Sequence, residues 1–364
     1  MALRCGIVGL PNVGKSTLFN ALSNAGAESA NYPFCTIEPN VGIVTVQDER
    51  LDRLAQISDS VKVIPTSIEF VDIAGLVAGA SKGEGLGNQF LSHIREVDAI
   101  VHVIRCFDDE NITHVAGSVD PQRDVGIIDT ELLLKDVETM EKRIEKGGKA
   151  VKTGDKKAKE ELAFYERLNE HLNEGKPARS FSVRSDEEVW YRSLFLLTSK
   201  PLLYAANVSE TDLAEGNSYV ESLRELAEQE NTEVILVSAE MEAQLIELDE
   251  EEREEFMADL GVTETGLSRL VKAAYKLLGL ITFFTTGPKE SRAWTIKRGY
   301  KAPQAAGTIH TDFERGFIRA ETIKYNDFNR LGSEVAVKEA GLMRSEGKEY
   351  VMEDGDVVLF RFNV

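Results

Sequence analysis

The chain has 364 residues, 42% of them hydrophobic, and its 62 acidic against 42 basic side chains give a formal charge of −20. This length and apolar content allow two or three domains with cores of their own and exclude a disordered chain, while the acidic balance excludes a non-specific nucleic-acid coat and leaves only local basic patches for such contacts. Cys5, Cys35 and Cys106 are odd in number and at no metal-ligand spacing, no signal-peptide pattern opens the chain, and no apolar run is long enough for a bilayer; the expectation is a reduced, cytoplasmic protein without membrane contact.

The first apolar run, 3–8, reads as a strand and is followed by Gly9-Leu10-Pro11-Asn12-Val13-Gly14-Lys15-Ser16, a match to G-x-x-x-x-G-K-[ST], and by a helical stretch. A strand, a glycine-rich turn and a helix N-terminus in that order cradle phosphates. The glycines let successive N–H groups converge on the oxygens, Lys15 reaches the β- and γ-phosphates, and the Ser16 hydroxyl faces Mg²⁺. The Asn12 side-chain oxygen is a candidate ligand for K⁺ bridging the phosphates. Next comes the proline-bracketed loop 31–40, whose Thr36 is placed to close onto Mg²⁺ as a switch threonine. Cys35 beside it is either a small apolar residue or a redox-sensitive one that would disturb that closure. Strand 41–46 and strand 67–73 follow, the second ending in Asp72-Ile73-Ala74-Gly75. Here Asp72 would orient Mg²⁺ or its water, and the Gly75 N–H would bond the γ-phosphate.

Leu76 stands where a Ras-type GTPase has the glutamine that orients the attacking water, so catalysis needs another group. Among the histidines, His114 lies in a polar loop after strand 99–104 and is the candidate; the competing reading is an exposed loop histidine with no role. From 129 to 200 no strand-like run appears. Leu133, Val137, Met140 and Ile144 form one stripe and Leu162, Tyr165, Leu168 and Leu172 another, which predicts an antiparallel helical hairpin. Its tip carries Arg143, Lys146, Lys149, Lys152, Lys156, Lys157 and Lys159, either a binding patch or a solvated turn.

Strands 202–207 and 233–238 complete an alternation that predicts a doubly wound parallel sheet over 1–128 and 201–278. Guanine selectivity in such a fold rests on N-K-x-D, but the chain reads Asn207-Val208-Ser209-Glu210. Without the lysine, and with Glu210 a methylene too long, strict GTP selectivity is not expected. Asn207 and the Val208 backbone are instead expected at the adenine edge, with Ser238 and Ala239 lining the pocket. After helices near 248–260 and 267–278 the composition changes. Strands at 280–285, 293–297, 316–323, 349–352 and 357–362, with helices at 303–308 and 325–340, predict a separate α+β module over 279–364. Within it Lys289, Arg292, Lys297, Arg298 and Lys301 accompany Trp294 and Tyr300. That combination suits RNA phosphates and bases, against the alternative of an ordinary surface with Trp294 in the core.

Over essentially its whole length the chain resembles the Obg-like ATPase family (YchF). The resemblance rests on Gly9-Leu10-Pro11-Asn12-Val13-Gly14-Lys15-Ser16-Thr17, on Asn31-Tyr32-Pro33-Phe34-Cys35-Thr36-Ile37-Glu38-Pro39-Asn40, on Asn207-Val208-Ser209-Glu210 and on Ala306-Gly307-Thr308-Ile309-His310-Thr311-Asp312-Phe313. It implies a P-loop domain with a coiled-coil insertion and a C-terminal β-grasp (TGS) domain, ATP preferred over GTP, and association with ribosomes or the 50S subunit. It further implies nucleotide contacts from Asn12, Val13, Gly14, Lys15, Ser16 and Thr17, with Val208 beside the base. Ser16 and Thr36 would be the Mg²⁺ ligands and His114 the catalytic residue, with Leu76 the family's hydrophobic substitute for glutamine. The resulting expectation is a monomeric ATP-hydrolysing switch that docks on the ribosome. A nucleotide-sensing RNA- or protein-binding adaptor with incidental hydrolysis competes with it, and a conventional GTPase is disfavoured by Val208 and Glu210.

Overall fold

The structure, a computed structural model, describes residues 3–27, 40–73, 86–151 and 156–363. It divides into two compact units, one formed by Met1–Ile43 and Glu69–Ala274, the other by Val44–Ile68 and Tyr275–Val364.

The first sheet has six strands in the order β2-β4-β1-β5-β6-β7, namely Val41–Val46, Thr66–Asp72, Arg4–Val8, Ala99–Arg105, Leu202–Asn207 and Glu233–Val237. β1 pairs in parallel with both β4 and β5, and β6 in parallel with β5 and β7. Every residue of β5 and β6 is buried, as expected of parallel strands covered on both faces, and their apolar runs follow from that. Because β4 and β5 lie on opposite sides of β1, the order reverses beside β1. Crevices at such reversals, at the carboxyl ends of the strands, are where doubly wound sheets hold their ligands.

The helical insertion is an antiparallel pair, α4 Pro121–Val151 and α5 Lys156–Asn173. Its first helix begins at Pro121, ahead of the expected 129, because the Asp120 carboxylate accepts the Arg123 N–H at 3.1 Å and Pro121 lacks the donor that a first turn leaves unmatched. Met140, Tyr165, Leu168 and Leu172 are buried in its core with Phe164, Leu194 and Leu196, and Leu133, Val137 and Ile144 pack against them. Asp136 fixes the return of the chain: its carboxylate accepts the N–H groups of Leu197 and Thr198, both at 2.8 Å, and the Thr198 hydroxyl. At the described part of the tip, Lys149 pairs with Glu145 at 2.7 Å and Lys156 approaches Glu160 at 3.9 Å, so the basic patch is partly balanced by its own helices; Lys152 lies outside the described residues.

The second unit carries a six-stranded sheet in the order β11-β10-β12-β8-β9-β3. Its strands are Arg344–Glu346, Phe317–Lys324, Asp356–Phe362, Leu280–Thr285, Glu290–Lys297 and Lys62–Ile64. The segment between β2 and β4 thus contributes here, through β3 parallel to β9 and through α2 Glu49–Ile57. The apolar face of α2, Leu51 and Leu54, is buried with Phe284, Ala293, Ile323, Phe328 and Val357. The expected strand at 349–352 is only a single bridge between Val351 and Lys301, and the expected helix 325–340 is two helices, α13 Tyr325–Leu331 and α14 Glu334–Glu339, separated by Gly332 at φ 72°. Trp294 is half-buried: the Phe283 ring on the paired strand lies nearly parallel to it with 6.3 Å between ring centres, the Arg292 guanidinium sits 4.0 Å from its ring centre, and its indole N–H donates to Thr285. Tyr300 packs against the same core. Both rings are partly buried against this core, which accords with the alternative of an ordinary surface with Trp294 packed on the core. Among the described residues no helix is long and apolar enough to cross a membrane.

Behind the first sheet, α8 Ala239–Leu245 is tied to α10 Gly266–Leu277 by Glu242, whose carboxylate accepts the Leu267 N–H at 3.1 Å. Burial raises the Glu242 carboxyl to about 7, outweighing the backbone hydrogen bonds from Leu267 and Gly266 that favour its ionised form. A carboxyl raised on folding contributes stability below its unfolded value of about 4.3 and loses it as pH rises through the folded value. Glu242→Gln keeps the acceptor and stays neutral. It should match the native protein near pH 4 and exceed its stability above pH 7 by about 1–3 kcal/mol, read as the pH dependence of the difference in thermal midpoints; a difference independent of pH would contradict the assignment.

Candidate nucleotide site

The loop between β1 and α1 (Lys15–Ala27) lies at the reversal beside β1. Gly9 is required by proximity: a Cβ there would stand 2.8 Å from the Val103 carbonyl oxygen of β5. Gly14 is required twice, by φ +89° and because a Cβ would land on Asn207 Nδ2. Asn12 also takes a left-handed conformation, φ 62°, which asparagine tolerates better than most residues. The first helical bond is Leu18 N–H to Gly14 C=O at 2.9 Å, so the amides of Lys15, Ser16 and Thr17 belong to the first turn and have no acceptors within the helix. Aligned with the helix dipole, they form an anion cradle.

Lys15 is 8% exposed and its ammonium forms an ion pair with Asp72 at the end of β4. The structure thus brings together the two charged groups expected at the γ-phosphate. Ser16 and Thr17 are exposed at the mouth of the loop. Thr36, Gly75, Leu76 and Cys35 lie outside the described residues. The oxygen donors present, the Ser16 hydroxyl and the Asp72 carboxylate, suit Mg²⁺, a hard cation that takes one or two protein oxygens and completes its shell with phosphate and water. Among the described residues no group of three or more His, Cys, Asp or Glu could hold a metal ion.

On the base side Asn207 ends β6, 4% exposed. Its Nδ2 donates to the Val13 carbonyl at 2.9 Å and its Oδ1 accepts the Ala239 N–H at 3.0 Å. These two bonds make Asn207 a brace between the phosphate loop and the start of α8; a side-chain amide carries two N–H donors and an oxygen with two lone pairs, so the brace leaves one of each for the contact expected with the adenine edge. Val208 is buried and its N–H donates to Val237. Ser238 caps α8 by accepting the Met241 N–H at 3.4 Å. Glu210 opens a 3₁₀ turn, Glu210–Asp212.

His114 is 7% exposed. Its Nδ1 accepts the Ala116 N–H at 3.1 Å, which leaves the proton on Nε2, 2.8 Å from the Asp124 carboxylate. Arg123 bonds the other oxygen of Asp124 at 2.9 Å. Both ring nitrogens are turned into the protein, so neither an exposed loop histidine nor a histidine facing the phosphates describes this arrangement. The loop itself does reach the site, because Asn12 Nδ2 donates to the Thr113 carbonyl at 3.1 Å. Two residues were missed. Asp124 is hidden in sequence by its place in a helix, and Arg105 had only the signal of a charge closing an apolar strand. Cys5 and Cys106 are buried, with thiols pushed up to about 12 by that burial and by Asp98 and Asp124 respectively, so neither is a reactive thiolate.

Gly14→Ala should weaken nucleotide binding by about 10- to 100-fold, the equivalent of about 1–3 kcal/mol of backbone strain, with the Asn207–Val13 bond lost. Calorimetric titration checks it; unchanged affinity would show that the Asn207 brace tolerates displacement.

A family model described as a 50S ribosome-binding GTPase matches residues 4–143, and the C-terminal YchF model, described as a protein of unknown function (DUF933), matches 280–363. The chain is 58% identical over 366 residues to the Bacillus subtilis ribosome-binding ATPase YchF and 56% identical over 364 residues to that of Escherichia coli O157:H7, with 100% of each chain covered. It is also similar to the structure of the Schizosaccharomyces pombe YchF GTPase, at a TM-score of 0.90 and 42% identity, covering 99% of this chain and 98% of that one. On this agreement of sequence and fold, the chain belongs to the YchF family.

Proposed function

We propose that the protein binds and hydrolyses ATP as a conformational switch and associates with the ribosome or its large subunit. The observation that carries the reading is the phosphate cradle of Gly9–Thr17 intact, with Lys15 on Asp72 and Asn207 bracing the loop, beside a base position where Val208-Ser209-Glu210 replaces the lysine and aspartate of a guanine site. The relatives' names divide on the base, ATPase for the bacterial proteins and GTPase for the yeast structure. Loss of the bidentate carboxylate favours adenine, since a site not built to satisfy the guanine N–H groups does not select for them.

Lys15 would release Asp72 to meet the β- and γ-phosphates, and Asp72 and Ser16, with Thr36, would hold Mg²⁺. When bound, Mg²⁺ neutralises the charge that develops on the phosphate oxygens. Asn12 gives its amide nitrogen to Thr113 and retains Oδ1 as an acceptor suited to K⁺. His114 acts only after its ring leaves Asp124 and Ala116, a rotation with a barrier of its own; slow intrinsic turnover, accelerated by a partner, follows. Ribosome association is supported by the relatives' names and by the exposed lysines of α4 and α5, which suit a phosphate backbone. The basic residues of the C-terminal unit, Lys289, Lys297 and Arg298, are exposed and suit RNA in the same way, through charge rather than stacking.

The inward His114 is also what favours the second reading, a nucleotide-sensing adaptor. Titration should give tighter binding of ATP than GTP; the reverse order would overturn the adenine assignment. His114→Ala should lower turnover by about 10²- to 10⁴-fold with ATP affinity nearly unchanged. If turnover is lost while nucleotide-dependent sedimentation with ribosomal particles persists, the adaptor reading stands. Hydrolysis should be faster in K⁺ than in Na⁺ buffer, and equal rates would remove the role given to Asn12.

A further inference from the structure

Arg105, the last residue of β5, is 2% exposed, and the partners the structure gives its guanidinium are backbone carbonyls. Its Nε donates to Phe107 at 3.0 Å, Nη1 to Ile112 at 2.8 Å and Nη2 to Asp109 at 3.2 Å, while the plane lies 4.7 Å from the centre of the Phe107 ring. Three acceptors spread over six residues of chain are thereby gathered on one rigid planar fork. A flexible ammonium has no such geometry. In register Arg105 stands beside Asn207, the brace of the phosphate loop, and the Cys106 N–H donates to the Asn207 carbonyl at 2.8 Å. The far end of the same loop carries Thr113 and His114, and there the Thr113 carbonyl accepts from Asn12 of the phosphate loop.

We infer that Arg105 is a positioning residue for hydrolysis: by clamping the carbonyls of Phe107, Asp109 and Ile112 it holds the loop of His114 in register with the phosphate loop. The inference rests on the proposed ATPase reading and extends it. With the loop backbone held, His114 reaches the nucleotide by turning its side chain alone, without ordering the loop at the moment of reaction. Burial of an arginine on carbonyl dipoles is costly to the fold, since such dipoles compensate a charge less fully than a carboxylate does. A clamp at the edge of the site gives that cost a purpose.

The test measures ATP affinity, kcat and thermal midpoint for Arg105→Lys, Arg105→Gln and His114→Ala, and for each Arg105 variant combined with His114→Ala. Arg105→Lys should lower kcat by about 100-fold, the penalty of misplacing a reacting group by about an ångström, with the dissociation constant for ATP within about threefold of native. Arg105→Gln removes the buried charge and therefore keeps the measurement possible if the lysine variant does not fold; it should show the same loss. In the His114→Ala background neither change should lower kcat further, because a clamp that acts through His114 has nothing left to position. Full additivity with His114→Ala would overturn the inference, as would a loss of ATP affinity equal to the loss of kcat. A native protein without ATPase activity, or a His114→Ala variant with native kcat, would instead sink the reading on which it rests.

Discussion

The amide of one buried side chain, Asn207, holds the nucleotide site together. It joins the Val13 carbonyl of the phosphate loop to the Ala239 amide at the start of α8, two segments far apart in sequence that approach only at the carboxyl edge of the first sheet. A buried amide that satisfies two backbone groups is worth more than its own hydrogen bonds, because removing it strands both partners away from water. It also dictates its neighbour. The space that a side chain at position 14 would occupy is filled by Asn207 Nδ2, so the glycine of the loop and the asparagine at the end of β6 are a single constraint.

Around that brace the charges are arranged in local balance on a strongly acidic molecule. Lys15 meets Asp72, His114 meets Asp124 with Arg123, and Arg179 meets Glu230 at 2.9 Å with Asp129 at 3.9 Å. Each buried group has a partner whose removal would leave an uncompensated charge, a larger effect than the pair itself contributes. Burial raises Asp129 to about 6, partly offset by Arg179, and burial with Glu230 and Asp129 beside it raises the Tyr204 hydroxyl, which donates to Glu230 at 2.8 Å. These contacts join α4 and the segment after α5 to the sheet, so the helical insertion is fastened to the nucleotide core by polar groups as well as by its apolar stripe. Lys200 adds a further tie by donating to the carbonyls of Arg95 and Val97, at the end of the helix Leu86–Glu96.

Where local pattern and structure part company, the reason is tertiary. Helix Glu49–Ile57 and strand Lys62–Ile64 sit between two strands of the first sheet, yet Leu51 and Leu54 of the helix are buried with residues of β8, β9 and β12, and the strand pairs with β9. Trp294 and Tyr300 carry the composition of an RNA-stacking surface, but both pack in part against the core of their own sheet, with Arg292 on the tryptophan ring. His114 is polar, in a polar loop, and still buried, because Asp124 arrives from α4 ten residues later to receive its proton.

From the chain alone came the parallel sheet, the phosphate loop, the helical hairpin and the family, since these depend on periodicity, glycine placement and motif order within short stretches. Six strands, at 4–8, 41–46, 66–72, 99–105, 202–207 and 280–285, stand within a residue or two of where apolar runs placed them, 99–105 and 202–207 because burial on both faces leaves few alternatives. What the tertiary structure alone decided was partnership: that Asn207 braces the phosphate loop, that Arg105 clamps the carbonyls leading to His114, and that the helix 49–57 and strand 62–64 pack with the C-terminal sheet. Such choices depend on which buried donors and acceptors meet across long separations, and no local pattern of residue types encodes a meeting of that kind.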